Sequence, residues 1–187
     1  MAVGLDKEIT EQNRNEVPMK TIVLYKSATG FTAKYAGWIA EELGCEARPY
    51  KGIKASELAG YDVVIYGGWI MAGMVNGYDK IRNMNLNKVI VFGVGMSVPS
   101  DEVVAKMVEQ NRVPAEDFFY FEGGYIPEKV GFLKRMMMNM IKRSLEKKTD
   151  KTEADLHMLE TFKGGDNTDR AAIEPLIKCA KATMEER

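Results

Sequence analysis

Histidine is almost missing from this chain of 187 residues, which has a single one, His157. Cysteine is scarce as well: Cys45 and Cys179 stand far apart and share no metal-type spacing. A histidine-built or cysteine-built metal centre and a disulfide framework are therefore not expected. No Ser-His-Asp or Cys-His constellation can be assembled for hydrolysis, so no residue is assigned a catalytic role. Charge of either sign is not in excess, with 26 basic and 27 acidic residues and a net charge of -1. That balance gives no pull toward nucleic acid. Long apolar runs are absent too, and none approaches the roughly 20 residues that cross a bilayer. The first 18 residues, MAVGLDKEITEQNRNEVP, are polar and hold no signal-peptide core. A cytoplasmic address is the expectation.

What is present is an ordinary globular composition, 45% apolar and 28% charged, enough for one domain with a sizeable core. Residues 1–18 read as a tail or tag, and residues 19–187 as the domain. From Met19 onward, short β-rich runs alternate with helical stretches. Strands are expected at Thr21–Tyr25, Glu46–Tyr50, Val63–Tyr66, Val89–Val94 and Phe118–Phe121. The third and fourth are apolar at successive positions, as in parallel strands covered on both faces. Helices are expected at Thr32–Leu43, Tyr78–Met84, Asp101–Asn111, Glu128–Lys147 and Arg170–Glu185. This alternation predicts an α/β doubly wound sheet of five parallel strands, order 2-1-3-4-5. Ligands of such sheets sit at the carboxyl ends of strands near the switch in order, which the first, third and fourth strands flank.

The loop after the first strand carries the sharpest signal. Ser27-Ala28-Thr29-Gly30-Phe31-Thr32 offers three hydroxyls within six residues, around a glycine and before a helix. A helix start supplies unpaired N–H groups and a positive dipole end, so the loop can cradle a phosphate. Neither the lysine of a P-loop nor a G-x-G-x-x-G is present. A bland reading is a helix N-cap cluster, but a cap needs one hydroxyl. The pattern [ST]-x-T-G-x-[ST] directly after a first strand resembles the FMN-phosphate loop of flavodoxins. The resemblance implies a flavodoxin-like fold and an FMN cofactor whose phosphate is held at Ser27, Thr29, Gly30 and Thr32.

Two more loops are expected at the same edge of the sheet. The one after the third strand, Gly67 to Gly77, includes Gly68, Trp69, Ile70, Met71 and Ala72. Large apolar side chains in a loop are unusual, and a flat heteroaromatic ligand would account for them. Trp69 can alternatively plug the end of the core. The loop after the fourth strand, Gly93 to Pro99, brings Gly95, Met96 and Ser97. In flavodoxins a glycine-containing loop here wraps the other side of the isoalloxazine. This chain lacks the acidic residue and aromatic that often follow in short electron carriers.

A helical insertion, approximately residues 123–167, separates the fifth strand from the last helix. Lys129–Lys148 holds seven basic residues against one acid, Glu146. On a helical wheel Val130, Leu133, Met137, Met140, Ile141 and Ser144 share a face, while Phe132, Met136 and Met138 fall outside it. The segment reads either as a helix docked on the sheet or as a surface for lipid, quinone or a protein partner. Its aromatic-proline start, Phe/Met/Lys helix and acidic/Thr turn are similar to the flavodoxin-like menaquinone-dependent protoporphyrinogen oxidases. That resemblance implies an oxidoreductase acting on a protoporphyrinogen-like substrate and passing electrons to a quinone, peripheral at the membrane. Two other readings stay open. One is a small FMN electron shuttle with a redox partner protein, and the other is a flavin-free binding module.

Overall fold

Strands that are apolar at every position must be covered on both sides, and the architecture does this. The computed structural model describes residues 19–185; the expected tail at 1–18 lies outside them. In chain order the elements are β1 (Thr21–Lys26), α1 (Phe31–Leu43), β2 (Glu46–Pro49), α2 (Ala55–Leu58), β3 (Val63–Met71) and β4 (Met74–Val75). Then follow α3 (Tyr78–Arg82), β5 (Lys88–Gly95), α4 (Asp101–Asn111), β6 (Phe118–Glu122) and β7 (Gly124–Tyr125). The chain ends with α5 (Phe132–Lys147), α6 (Glu153–Thr161), β8 (Gly165–Asp166) and α7 (Glu174–Glu185).

The main sheet runs β2-β1-β3-β5-β6, all parallel, with β4 added antiparallel to β3. Counting the five parallel strands alone, this is the expected order 2-1-3-4-5. Period-2 alternation divides the core. Val23, Ile65, Phe92 and Phe121 face α1 and α7 with Tyr35, Ile39 and Leu176. Ile22, Leu24, Val64, Tyr66, Val91 and Tyr120 face the other side with Ile81 and Met107. Register aligns the carboxyl ends: Lys26 stands beside Gly68, Trp69 beside Val94, and Gly95 beside Glu122.

Three expectations are corrected. The third strand does not end at Tyr66 but runs to Met71, because Gly67 and Gly68 are extended residues of β3, not loop glycines. Their lack of a side chain serves packing: a Cβ at Gly67 would lie 2.0 Å from Phe92 Cζ, and one at Gly68 would lie 2.7 Å from Val75 Cγ1. The strand then turns through Ala72 (φ 50°) and Gly73 (φ 80°) into β4. A two-residue hairpin with both central residues left-handed is the type that suits strand twist. The helix expected at Glu128–Lys147 begins at Phe132; before it, Pro127–Lys129 make a 3-10 turn and Gly131 is extended. The last helix is likewise shortened, since Arg170–Ile173 form a 3-10 turn capped by the Asp169 carboxylate before α7 starts.

Candidate functional site

The first loop leaves the end of β1 and enters α1 through Gly30, whose φ of 110° is a left-handed conformation that favours glycine. No side chain caps α1. The Ser27 hydroxyl instead accepts from the Gly30 N–H at 3.2 Å, tightening the loop itself. The hydroxyl cluster is thus not spent on capping, and the first helical turn keeps its orphan N–H groups for another acceptor. Thr32 is buried, while Ser27 and Thr29 are half-exposed.

Next to this turn, across the carboxyl edge of the sheet, opens a cavity of about 600 Å³. That is the size of a small-molecule or cofactor site. It brings together Ala28, Thr29, Phe31 and Thr32 of the first loop, Trp69, Ile70, Met71 and Ala72 of the hairpin, and Gly95, Met96 and Ser97 after β5. Three residues read from the sequence do not line it. Ser27 and Gly30 shape the loop from behind, and Gly68 faces the turn just after β4, where a Cβ would meet the Asn76 carbonyl oxygen at 2.8 Å.

Several lining residues were not read from the sequence. Tyr120 on β6 rises into the space left by Gly95, where a Cβ would lie 2.4 Å from its hydroxyl oxygen. That hydroxyl accepts from the Ser97 N–H at 3.0 Å and donates to the Ser97 carbonyl at 2.9 Å, pinning the loop after β5. Burial pushes the Tyr120 phenol up to about 12, so it stays a neutral donor. Its signal was available: an alternating strand places Tyr120 opposite the glycines of its neighbour. Gly123 donates to the Gly95 carbonyl at 2.7 Å, tying the start of the insertion to the same loop.

The rest of the cavity wall comes from the insertion. Lys134, Met137, Met138 and Ile141 of α5, with Met158 and Phe162 of the α6 region, roof it over. The Lys134 ammonium lies 4.2 Å from the centroid of the Trp69 ring, a cation–π contact that links roof to hairpin. The helical wheel is therefore redrawn. Met138 belongs to the cavity side, and Leu133 and Met140 belong to the outside, because the roof is set by the 134/137/138/141 repeat. Two lysines, Lys129 and Lys134, and no carboxylate line the cavity among the described residues. This charge pattern suits an anion.

Polar pairs anchor the insertion. The Glu122 carboxylate, at the end of β6, meets His157 Nε2 at 2.5 Å and accepts from the Asn167 amide at 2.6 Å. Its backbone carbonyl accepts from the Tyr35 hydroxyl at 2.7 Å. His157 thus has an anchoring place behind the roof. The insertion leaves and returns through β7 and β8, which pair antiparallel with Gly124 opposite Asp166 and Tyr125 opposite Gly165. The described residues contain no group of three or more His, Cys, Asp or Glu side chains able to hold a metal. None of their helices is long and apolar enough to cross a membrane.

A five-stranded parallel sheet in this order, with an uncapped helix start and a ligand-sized cavity at the switch point, defines a mononucleotide-type α/β domain. A flavodoxin-domain family model matches residues 22–152, and the chain belongs to that family. No curated protein matches it. Among solved structures it is similar to oxidised flavodoxin 2 from Bacillus cereus, at 21% identity over 65% of this chain and 95% of that one, TM-score 0.40. It is also similar to rubredoxin oxygen:oxidoreductase from Desulfovibrio gigas, at 18% identity over 91% of this chain and 38% of that one, TM-score 0.43. A flavoprotein in complex with FMN from Lactobacillus acidophilus shares 17% identity over 56% of this chain and 91% of its own, TM-score 0.37. The family assignment rests on the domain match.

Proposed function

We propose that this chain is an FMN-dependent electron-transfer flavoprotein whose cavity extends beneath a helical roof to admit a bulky redox partner of the protoporphyrinogen or quinone type. The single observation that carries the reading is the continuous cavity, which joins the hydroxyl loop to the Trp69 and Met96 edges and then passes beneath α5. The residues fit the cofactor. Thr29, Thr32 and the open N–H groups at the start of α1 would hold the phosphate. Trp69, Ile70 and the Gly95–Ser97 backbone would bracket the ring. When bound, FMN supplies the electron-transfer chemistry.

The chain's own part is binding, orientation and access. Tyr120 holds Ser97 still, so the loop that faces the ring is preorganised rather than adaptable. The methionines of the roof exclude water and present a polarisable apolar surface to the partner molecule. Lys129 and Lys134 give that part of the cavity a positive field in which anionic groups are favoured. The shuttle reading is weaker because α5 covers the edge that a protein redox partner would approach.

The test begins with absorbance of the purified protein and titration of the apoprotein with FMN and riboflavin. Visible flavin bands and much tighter binding of FMN than of riboflavin are expected. Failure of the apoprotein to bind FMN overturns the reading in favour of a binding module. Anaerobic reoxidation of the reduced protein by a soluble menaquinone analogue then separates the roofed oxidoreductase from a shuttle. A roofed site should give a rate that saturates with quinone, whereas a shuttle meeting the quinone by collision gives a rate that rises linearly.

A further inference from the structure

Hairpin residues Trp69 to Gly73 line the cavity, yet the return strand β4 is only two residues long and pairs with β3 on one edge. A strand that short cannot hold itself in place. Its inner side is tied to β3, and just beyond it the Asn76 N–H donates to the Trp69 carbonyl at 3.0 Å. The outer side presents the Gly73 carbonyl and the Val75 N–H, two groups on the edge turned away from β3. Val75 is 3% exposed, so that edge is shielded from water. Leaving its polar groups unpaired there would be costly.

Asn111, the last residue of α4, meets both groups. Its Oδ1 accepts from the Val75 N–H at 2.8 Å, and its Nδ2 donates to the Gly73 carbonyl at 2.8 Å. The other Nδ2 hydrogen goes to the Met107 carbonyl, one turn back in α4, also at 2.8 Å. The carboxamide thus pairs with β4 as the peptide group of a neighbouring strand would. It is 1% exposed, and its orientation is fixed, because turning the amide over would set its oxygen against two carbonyls. Arg82 of α3 donates from Nη1 to the Asn111 carbonyl at 3.1 Å and steadies the helix end. The Gln110 side chain occupies the space beside Gly73 that a Cβ would need.

Helix α4 also connects the two loops that bracket the proposed ring position. It starts at Ser100, directly after the Gly95–Ser97 loop, where the Ser100 hydroxyl accepts from the Val103 N–H at 3.3 Å. Met107, midway along, lines the cavity, whereas Asn111 does not. One helix therefore leaves from one wall of the cavity and grips the other. We propose that Asn111 is a positioning residue of the flavin site, which sets the β3–β4 hairpin in place before the flavin arrives. The inference rests on the FMN reading and adds to it a residue that touches neither cofactor nor partner molecule. A group so fixed preorganises the wall and spares the ligand the entropy of ordering it.

The test compares the wild type with Asn111→Leu, which removes all three side-chain bonds, and with Leu176→Ala, which opens space in the core on the α7 side. Both should lower the melting temperature. Only Asn111→Leu should weaken flavin binding. The Kd of its apoprotein for FMN and for riboflavin should rise by the same factor, at least about tenfold, since the ring and not the phosphate loses its support. The flavin midpoint potential should shift in that variant and stay put in Leu176→Ala. Equal affinity and potential in wild type and Asn111→Leu overturn the proposal. An equal loss of flavin in both variants overturns it too, because Asn111 would then act on stability alone. If Asn111→Leu does not fold, amide hydrogen exchange of the wild type decides. The Val75 amide should be as protected in the apoprotein as in the FMN-loaded protein. An amide that exchanges freely until FMN is added means that the flavin orders the hairpin, and the proposal fails. Wild-type apoprotein that binds no flavin defeats the FMN reading and this inference with it.

Discussion

The sheet and helix α5 are built from the same kinds of apolar residue and are treated in opposite ways. Ile22, Val23, Leu24, Ile65, Ile90 and Phe92 are wholly buried, each gripped by strands on either side and helices above or below. Along α5 not one side chain is buried, and the helix is held only at its edges. A buried Val, Leu or Ile contributes about 1.5–3 kcal/mol, so the sheet supplies the stability and α5 draws little of it. The lesson is a division of labour: a rigid platform carries the loops, and a roof with no buried side chain along α5 lies over the cavity between them. Local opening of such a roof needs far less free energy than global unfolding.

Ways of breaking that division differ in size. The largest effect is expected on the platform side, where Thr29→Val/Thr32→Val removes two hydroxyls from the loop proposed to hold the phosphate. FMN affinity should fall by about 2–5 kcal/mol, read by titration of the apoprotein, with the melting temperature little changed. Roof attachment comes next. Glu122→Gln weakens the carboxylate that meets His157 and Asn167, at a cost of about 1.5–3 kcal/mol. Hydrogen exchange should then rise across α5 and α6 and stay unchanged in β1, β3 and β5. Uniform deprotection of the whole sheet would mean that roof and platform are one cooperative unit.

Gly95→Ala drives a methyl group toward the Tyr120 hydroxyl, 2.4 Å away, and should destabilise the protein by about 1–3 kcal/mol. It should also free Ser97, visible as a lost protection of its amide. The smallest effect belongs to Lys134→Met, which deletes the contact over Trp69 and should cost about 0.5–1 kcal/mol. Tryptophan fluorescence should change while the melting temperature barely moves. Alkaline pH offers a further handle on the platform. Burial raises the Tyr35 and Tyr120 phenols from 10.0 to about 12. Unfolded chains lose these protons first, so the stability they support is intact below pH 10 and declines between about 10 and 12.

The fold was legible where local pattern and tertiary need agree. Continuous apolar runs such as VVIY and VIVFGV can only be strands covered twice, and their alternation with helices leaves few topologies. The Ser27–Thr32 loop was legible because hydroxyls, glycine and a helix start fall within six residues. What escaped depends on distant partners. Gly67 and Gly68 look like loop glycines until Phe92 and Val75 claim the space beside them. Tyr120 reads as one more strand aromatic until Ser97 is brought to its hydroxyl. The capping box Thr152-x-x-Asp155 marks the start of α6 within the insertion by a local signal alone. The roof could not be read because α5 is apolar on two sides, and a wheel alone does not say which side meets the sheet.

The clasp between β7 and β8 closes the insertion upon itself. Because Gly124 and Tyr125 pair with Asp166 and Gly165, the insertion begins and ends at a single point on the sheet margin. The closure entropy of that long excursion is met at its neck, whatever lies beyond it. Around that neck and beyond it, the insertion touches the scaffold again at chosen points, through His157 and Asn167 on Glu122 and through Lys134 over Trp69. The neck therefore carries the cost of closing the loop, and these contacts are left to set how the cover lies over the cavity.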